Sequence, residues 1–199
     1  MENKNDAHPY ERLTPDLILN LLEAQGYACD GRLLALNSYE NRVYQIGIED
    51  DTPVIAKFYR PGRWNKDSIL EEHAFAIELS GHEIPVIAPL KNTAGETLHE
   101  SEGFLFAVYT RSGGRWPDLD TKDQRMQLGR FLGRMHAVGA TQRFEHRQNL
   151  DIQSMGDDSR AFILEHDFVA DYLLEAYDTL TKDLLIQIRS RFEACGFVT

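Results

Sequence analysis

The spacing of apolar positions changes character once along this chain, near residue 110. From Leu13 to Gln25 apolar residues recur at helical intervals, with Thr14-Pro15 as N-cap and first-turn proline and Gly26 as the stop. Three strand-like segments follow, Gly31–Asn37, Arg42–Glu49 and Val54–Tyr59, with turn residues at Ser38–Asn41 and Asp50–Pro53 between them. Such short links predict an antiparallel meander, one side of which needs a helix to cover it. Ser68 and Glu71 have capping-box spacing, so the covering helix is expected from there to about Ser80, stopping at Gly81. Val86–Leu90 and Phe104–Tyr109 are expected as further strands, with GETLHESEG as a hairpin end between them.

The segment TRSGGRWP then breaks the pattern, and Gly113-Gly114 leaves it little stiffness. Beyond it the spacing is helical. Thr121 with Gln124 caps a helix over Lys122–Val138 whose stripe is Leu128, Phe131, Leu132, Met135 and Val138, and Phe168–Tyr177 and Leu184–Phe192 continue in that style. The expected class is α+β: a sheet-rich part over 1–110, a linker at 111–116 and a helical part over 117–199.

One position resists this pattern. In VIAKFYRP, Val54, Ala56 and Phe58 alternate with Ile55, Lys57 and Tyr59, so Lys57 shares a face with two apolar neighbours. A lysine there either snorkels from an edge strand or meets an anion in a cleft. The next helix offers an anion. Glu72 follows Ile69 by three residues and precedes Phe75 by three, which puts a carboxylate on the stripe that faces the sheet. Two charges that are costly alone become tolerable as a pair. Glu71 points a hundred degrees away and is expected to serve the cap.

Composition narrows the function classes. Of 199 residues, 42% are hydrophobic and 27% charged, as in a soluble globular protein. The net charge of −11 argues against sequence-independent nucleic-acid binding, which needs a basic surface. No apolar run approaches the roughly 18 residues that span a bilayer, and the N-terminal MENKNDAHPYERL lacks the apolar core of a secretory signal. Cys29 and Cys195 make no disulfide framework, and the histidines lack metal-ligand spacing, so a reducing cytoplasm is the expected location and no metal site is assigned.

The order hairpin, strand with lysine, helix with glutamate, strands, linker resembles the small lobe of the protein-kinase-like phosphotransferases. The wording of NSYENRVYQI, VIAKFYRPGRW, ILEEHAFAIELSGHEIPVIAPL and LGRFLGRMHAVGA is similar to the choline kinase and aminoglycoside phosphotransferase branch, from about Leu33 onward. Within that branch it resembles bacterial Ser/Thr kinases of the stress response. The resemblance implies ATP and Mg²⁺ as cofactors, and protein Ser/Thr hydroxyls ahead of small-molecule alcohols as acceptors. Lys57 would contact the α- and β-phosphates, with Glu72 orienting it. Leu36 and Ile55 would roof the adenine, and backbone groups from Tyr109 to Arg111 would bond its edge. Ser38, Asn41 and Arg42 would belong to the loop over the phosphates, which unlike a protein-kinase loop has no glycine between Gly31 and Gly47. Tyr39 and Arg42 also fit as plain hairpin-tip residues, and Arg111 and Arg115 as solvated linker charges.

The family's H-G-D-x-H-x-x-N loop, which supplies the catalytic carboxylate, does not occur in the 199 residues. HRQNLD has Gln148 in the aspartate place, GDDS at 156–159 reads as a turn capping a helix from Arg160 or Ala161, and His136 reads as a structural histidine. After Gly196, FVT reads as the start of a strand. The expectation is a kinase sequence cut before its catalytic loop, its metal ligands lying beyond residue 199 and the chain alone inactive. A non-catalytic nucleotide-binding or interaction fragment is the other class left open. The apolar stripes at 122–138 and 184–192 then predict self-association or loose packing of the helical part.

Overall fold

The computed structural model describes residues 9–195, so the strand expected after Gly196 lies outside the described residues. Helix α1 (Pro15–Glu23) starts as expected, with Thr14 accepting a hydrogen bond from the Leu17 amide. The strands β1 (Cys29–Leu36), β2 (Arg42–Ile48) and β3 (Asp51–Phe58) form the antiparallel meander. The β2–β3 turn is tighter than Asp50–Pro53, because Asp50 takes a left-handed φ of 53° and lets Asp51 pair at once with Ile48. A short β4 (His99–Ser101) and β5 (Phe104–Thr110) complete a five-stranded sheet in the order β1-β2-β3-β5-β4. No strand forms over Val86–Leu90. Pro85 and Pro89 lack the N–H a ladder needs, and only a Pro89–Tyr109 bridge and the Leu90 amide on the Val108 carbonyl remain.

Two helices cover this sheet, one on each face, where the sequence pattern asked for one. Ile18, Leu21 and Leu22 of α1 join Ile46, Val54, Ala56, Phe58, Phe106 and Val108 in the main core. Phe58 and Phe106 stack at 5.2 Å there and are fully buried. Helix α2 (Lys66–Gly81) lies over the other face, where Ile69, Tyr59 and Ala107 form a smaller core. Its cap is Asn65, whose side chain accepts from the Ser68 amide at 2.7 Å. Ser68 is therefore inside the helix, and its hydroxyl donates to the His146 carbonyl instead.

Residues 111–120 are irregular and exposed throughout, with Trp116 at 91% exposure. Helix α3 (Lys122–Gly139) begins with the expected reciprocal bonds between Thr121 and Gln124. The chain divides into compact units at His146/Arg147, not at 111–116. The reason is that α2 also holds α3 and the segment from there to His146. The Glu71 carboxylate accepts from the Glu145 and His146 amides, Phe75 meets Phe144 edge-on at 5.4 Å, and Arg134 donates to the His82 and Glu83 carbonyls.

The second unit holds a π turn (Gln153–Asp157) running straight into α4 (Asp158–Glu165), then α5 (Leu174–Cys195). GDDS is thus helical and not a capping turn, and a side chain at Gly156 would have to displace the end of Leu185. Phe168 precedes the helical segment, and α5 runs unbroken through residues 178–183, where two separate helices were expected. Arg160 pairs with Asp178 and Arg189 with Asp157 within this unit.

Candidate functional site

Lys57 leaves β3 on the α2 face, and Glu72 comes down to it from α2. The ammonium donates to Glu72 Oε1 at 2.7 Å, the two side chains being 22% and 35% exposed. The ammonium also lies 4.5 Å from the centre of the Tyr59 ring. Glu72 faces the sheet with Ile69 as the helix phase predicted, whereas Phe75 turns to Phe144 on the side where Glu71 holds the Glu145 and His146 amides. A pair this close to water avoids the full penalty of burial, yet is shielded enough to act strongly on a third charge.

Strand register decides which other residues share this face. Residues directly opposite across antiparallel strands point the same way. One row runs Leu36, Val43, Lys57, Ala107 and the next Leu34, Gln45, Ile55, Tyr109. Leu36, Val43 and Ile55 therefore form an apolar shelf beside the ammonium. Arg111 reaches back over it, its Nε donating to Gln45 Oε1 at 3.0 Å. Leu36, Ile55, Lys57, Tyr109 and Arg111 are thus brought together; Val43 and Gln45 belong with them and went unread in the sequence.

Arg42 is not brought there. It pairs with Phe58, hence faces α1, and its guanidinium lies 4.7 Å from the Tyr10 ring centre. Ser38 and Asn41 sit in a loop that is tied down without glycine. Ser38 Oγ donates to the Asn41 carbonyl at 2.8 Å, and Asn41 Oδ1 accepts from the Arg60 amide at 3.3 Å. Trp64 Nε1 donates to the Glu40 carboxylate at 2.9 Å. Tyr10 donates to the Glu40 carbonyl at 3.0 Å, and burial pushes its phenol up to about 12. Only Tyr39 at the tip is wholly exposed.

Behind the pair lies a buried polar chain that the sequence did not announce. Tyr59 Oη is 2.7 Å from His73 Nε2 and 3.3 Å from Tyr109 Oη, and His73 Nδ1 is 2.8 Å from Thr97 Oγ1. Burial drives His73 down to about 4 and raises the Tyr109 phenol. A neutral imidazole has one donor and one acceptor, and either direction of donation satisfies all four groups. His73 directly follows Glu72 in the stretch EHAFAIEL, and the only written signal was a histidine in an apolar stripe.

The acidic groups farther along have structural partners. Asp151 accepts from the Ser154 amide, which holds its carboxyl below the usual range. Asp157 pairs with Arg189, and Asp158 accepts from Gln153 at 2.7 Å. His136 is exposed on α3. Among the described residues no group of three or more His, Cys, Asp or Glu could hold a metal ion, and no helix is long and apolar enough to cross a membrane.

The sequence pattern of the phosphotransferase enzyme family matches residues 32–192. Stress response kinase A of Escherichia coli O157:H7 is 40% identical over 188 residues, which are 94% of this chain and 57% of that protein. A Salmonella typhimurium protein named serine/threonine protein kinase RdoA is 43% identical over 148 residues, 74% of this chain and 45% of its own length. The chain thus spans about half the length of these relatives. Among solved structures, amicoumacin kinase hAmiN in complex with AMP-PNP, Ca²⁺ and Ami aligns with a TM-score of 0.65 at 24% identity, covering 89% of this chain and 56% of that one. A microcompartment-associated aminopropanol kinase aligns at 0.55 and 18% identity, covering 75% and 54%. These likenesses carry the kinase-like fold. With a match that starts inside β1 and continues into the last turns of α5, the chain belongs to the phosphotransferase enzyme family.

Proposed function

We propose that this chain carries the nucleotide-anchoring part of an ATP-dependent kinase, with Lys57 as the residue that meets the phosphates and Glu72 as the one that orients it. The single observation behind this reading is the partly exposed Lys57–Glu72 pair at the border of the Leu36–Val43–Ile55 shelf. The shelf suits a flat apolar base. An ammonium held at its edge by one carboxylate keeps donors to spare for a polyphosphate. ATP supplies the phosphoryl group, and Lys57 offsets negative charge as it builds toward the leaving diphosphate. Ser38 and Asn41 would wall the phosphates. Tyr109 to Arg111 would border the base. Arg42 holds the loop through Tyr10 and does not meet the phosphates directly. Mg²⁺ bound with ATP would neutralise charge on the phosphates; among the described residues no group of three or more His, Cys, Asp or Glu could hold a metal ion.

For the whole protein we propose transfer to Ser/Thr hydroxyls of proteins in a cytoplasmic stress response, ahead of small amino alcohols. The support is that relatives at 40% and 43% identity bear those kinase names, whereas the small-molecule kinases align at 24% or less and support the fold alone. The 199-residue chain by itself is expected not to turn over. A second reading, a nucleotide-binding or interaction module without catalysis, is favoured by the lack of an H-G-D-x-H-x-x-N stretch in these residues.

Calorimetry with ATP and adenosine tests the anchoring role. Lys57→Ala should cost at least about tenfold in ATP affinity and leave adenosine unchanged, and Glu72→Gln should cost less because an amide still accepts from the ammonium. Equal ATP affinity in wild type and Lys57→Ala would remove the phosphate role. Phosphate transfer from Mg-ATP to a Ser/Thr protein substrate or to amino alcohols separates the two acceptors, and its absence from the whole protein would leave the binding module.

A further inference from the structure

We propose that Tyr59 and His73 are positioning residues for the Lys57–Glu72 pair, clamping α2 to the sheet so that the ammonium is in place before nucleotide arrives. This rests on the anchoring role of Lys57 given above. Tyr59 follows Lys57 by two residues and extends from the same face, so its ring comes to lie against the ammonium, 4.5 Å from centre to Nζ. A tyrosine ring free to turn would offer that contact only part of the time. Here its far end is fixed, because the hydroxyl is bonded to His73 Nε2 at 2.7 Å and lies 3.3 Å from the Tyr109 hydroxyl.

His73 in turn is set within the molecule. It is 1% exposed, and its second nitrogen is held at 2.8 Å by Thr97, itself buried just before β4. His73 directly follows Glu72 on α2. Two successive residues of one helix thus bear on the same ammonium: Glu72 directly, and His73 through the tyrosine ring. Swinging α2 outward to withdraw Glu72 would strip partners from buried hydroxyls and a buried imidazole, and such unmade bonds are the costly kind. Among the described residues no buried side-chain nitrogen or oxygen lacks a partner as the chain stands. The neutral ring also matters, since an imidazolium behind Tyr59 would repel the lysine that the ring steadies. Neither residue lies on the shelf where a base would sit, so their effect on nucleotide passes through Lys57.

Preorganisation of this kind should show in the phosphate-dependent part of binding and not in the base-dependent part. The experiment is calorimetry on the purified chain with ATP and with adenosine, on wild type, Tyr59→Phe, His73→Phe and His73→Gln, with Lys57→Ala alongside and melting temperatures for all. Tyr59→Phe keeps the ring and loses its anchor. It should weaken ATP about three- to tenfold while adenosine stays within about twofold. His73→Phe should do the same. His73→Gln, whose amide can still bond Tyr59, should recover most of the loss. An equal fall in ATP and adenosine affinity would make the chain of bonds merely structural and overturn the proposal. So would Tyr59→Phe and His73→Phe binding ATP like wild type while Lys57→Ala does not. If His73→Phe fails to fold, Tyr59→Phe decides. Wild type and Lys57→Ala binding ATP alike would overturn the anchoring role and this inference together.

Discussion

In the unit that ends at His146, Ile18, Leu22, Ile46, Phe58 and Phe106 are fully screened from water, whereas among the described residues from Arg147 onward no side chain is buried. Both stretches carry apolar residues at regular spacing. What differs is the number of surfaces each element can close. A β-strand presents alternate residues to two faces, and here α1 covers one face and α2 the other, so nearly every apolar position finds company. Helices α4 and α5 share one seam, fastened by Arg160–Asp178 and Arg189–Asp157, and leave Leu150, Phe162, Phe168, Leu180, Leu184 and Ile186 in water. Apolar pattern marks which residues can be buried; the count of neighbouring layers decides which ones are.

The largest expected effect is in hydrogen exchange. Amides of β3 and β5 should open only with the whole unit, and those of α4 and α5 by local unfolding, a separation of at least about a thousandfold. The exposed apolar faces should also make the purified chain self-associate, visible by sedimentation. Strong uniform protection across 158–195 in a monomer would erase the contrast. Next in size, Phe58→Ala should cost about 3–5 kcal/mol in urea unfolding, and Leu180→Ala, at 69% exposure, within about 0.5 kcal/mol. Similar costs at the two sites would mean the helical unit buries Leu180 in solution.

Acid sharpens the contrast further. His73 falls to about 4 chiefly through burial, with Lys57 and His99 adding to the fall and Glu72 opposing it. Its folded value is below the unfolded 6.5, so the unfolded chain takes up the proton first. Stability from this group is complete above about pH 6.5 and is lost as pH falls toward 4, by about 3 kcal/mol, and His99 shifts in the same direction. His73→Gln should flatten that part of the pH profile in the sheet unit. Smallest is Lys66→Ala, which removes the exposed Lys66–Glu100 pair and should cost about 0.2–1 kcal/mol, less at high salt.

How much of this could be read in advance depended on distance along the chain. Lys57 and Glu72 were legible because one rule of alternation and one of helical phase apply within a few residues of each. Thr121 and Gln124 were legible for the same reason. The start of α2 was misread because Asn65 and Ser68 repeat the i, i+3 chemistry of Ser68 and Glu71, and local spacing does not choose between them. Arg42 was misplaced because its face depends on register across a short hairpin, where a one-residue change reverses every side chain. The break expected between Tyr177 and Leu184 does not form, because the intervening DTLTKD contains neither glycine nor proline to stop a helix. Tyr59, His73 and Thr97 were hidden more deeply, since the partners of His73 lie 14 and 24 residues away.

The tie between Trp64 and Glu40 gives the molecule an optical handle. Of its two tryptophans, Trp64 is half-buried, donates to the loop between β1 and β2, and has the Arg63 guanidinium 5.3 Å from its ring centre, while Trp116 stands almost wholly in solvent. Their emission should therefore separate: a blue-shifted component from Trp64 that iodide reaches poorly, and a red component from Trp116 that iodide quenches freely. On the proposed reading, phosphates pressing on the loop would alter the first colour and leave the second alone, and nucleotide arrival would then be followed in real time without a label.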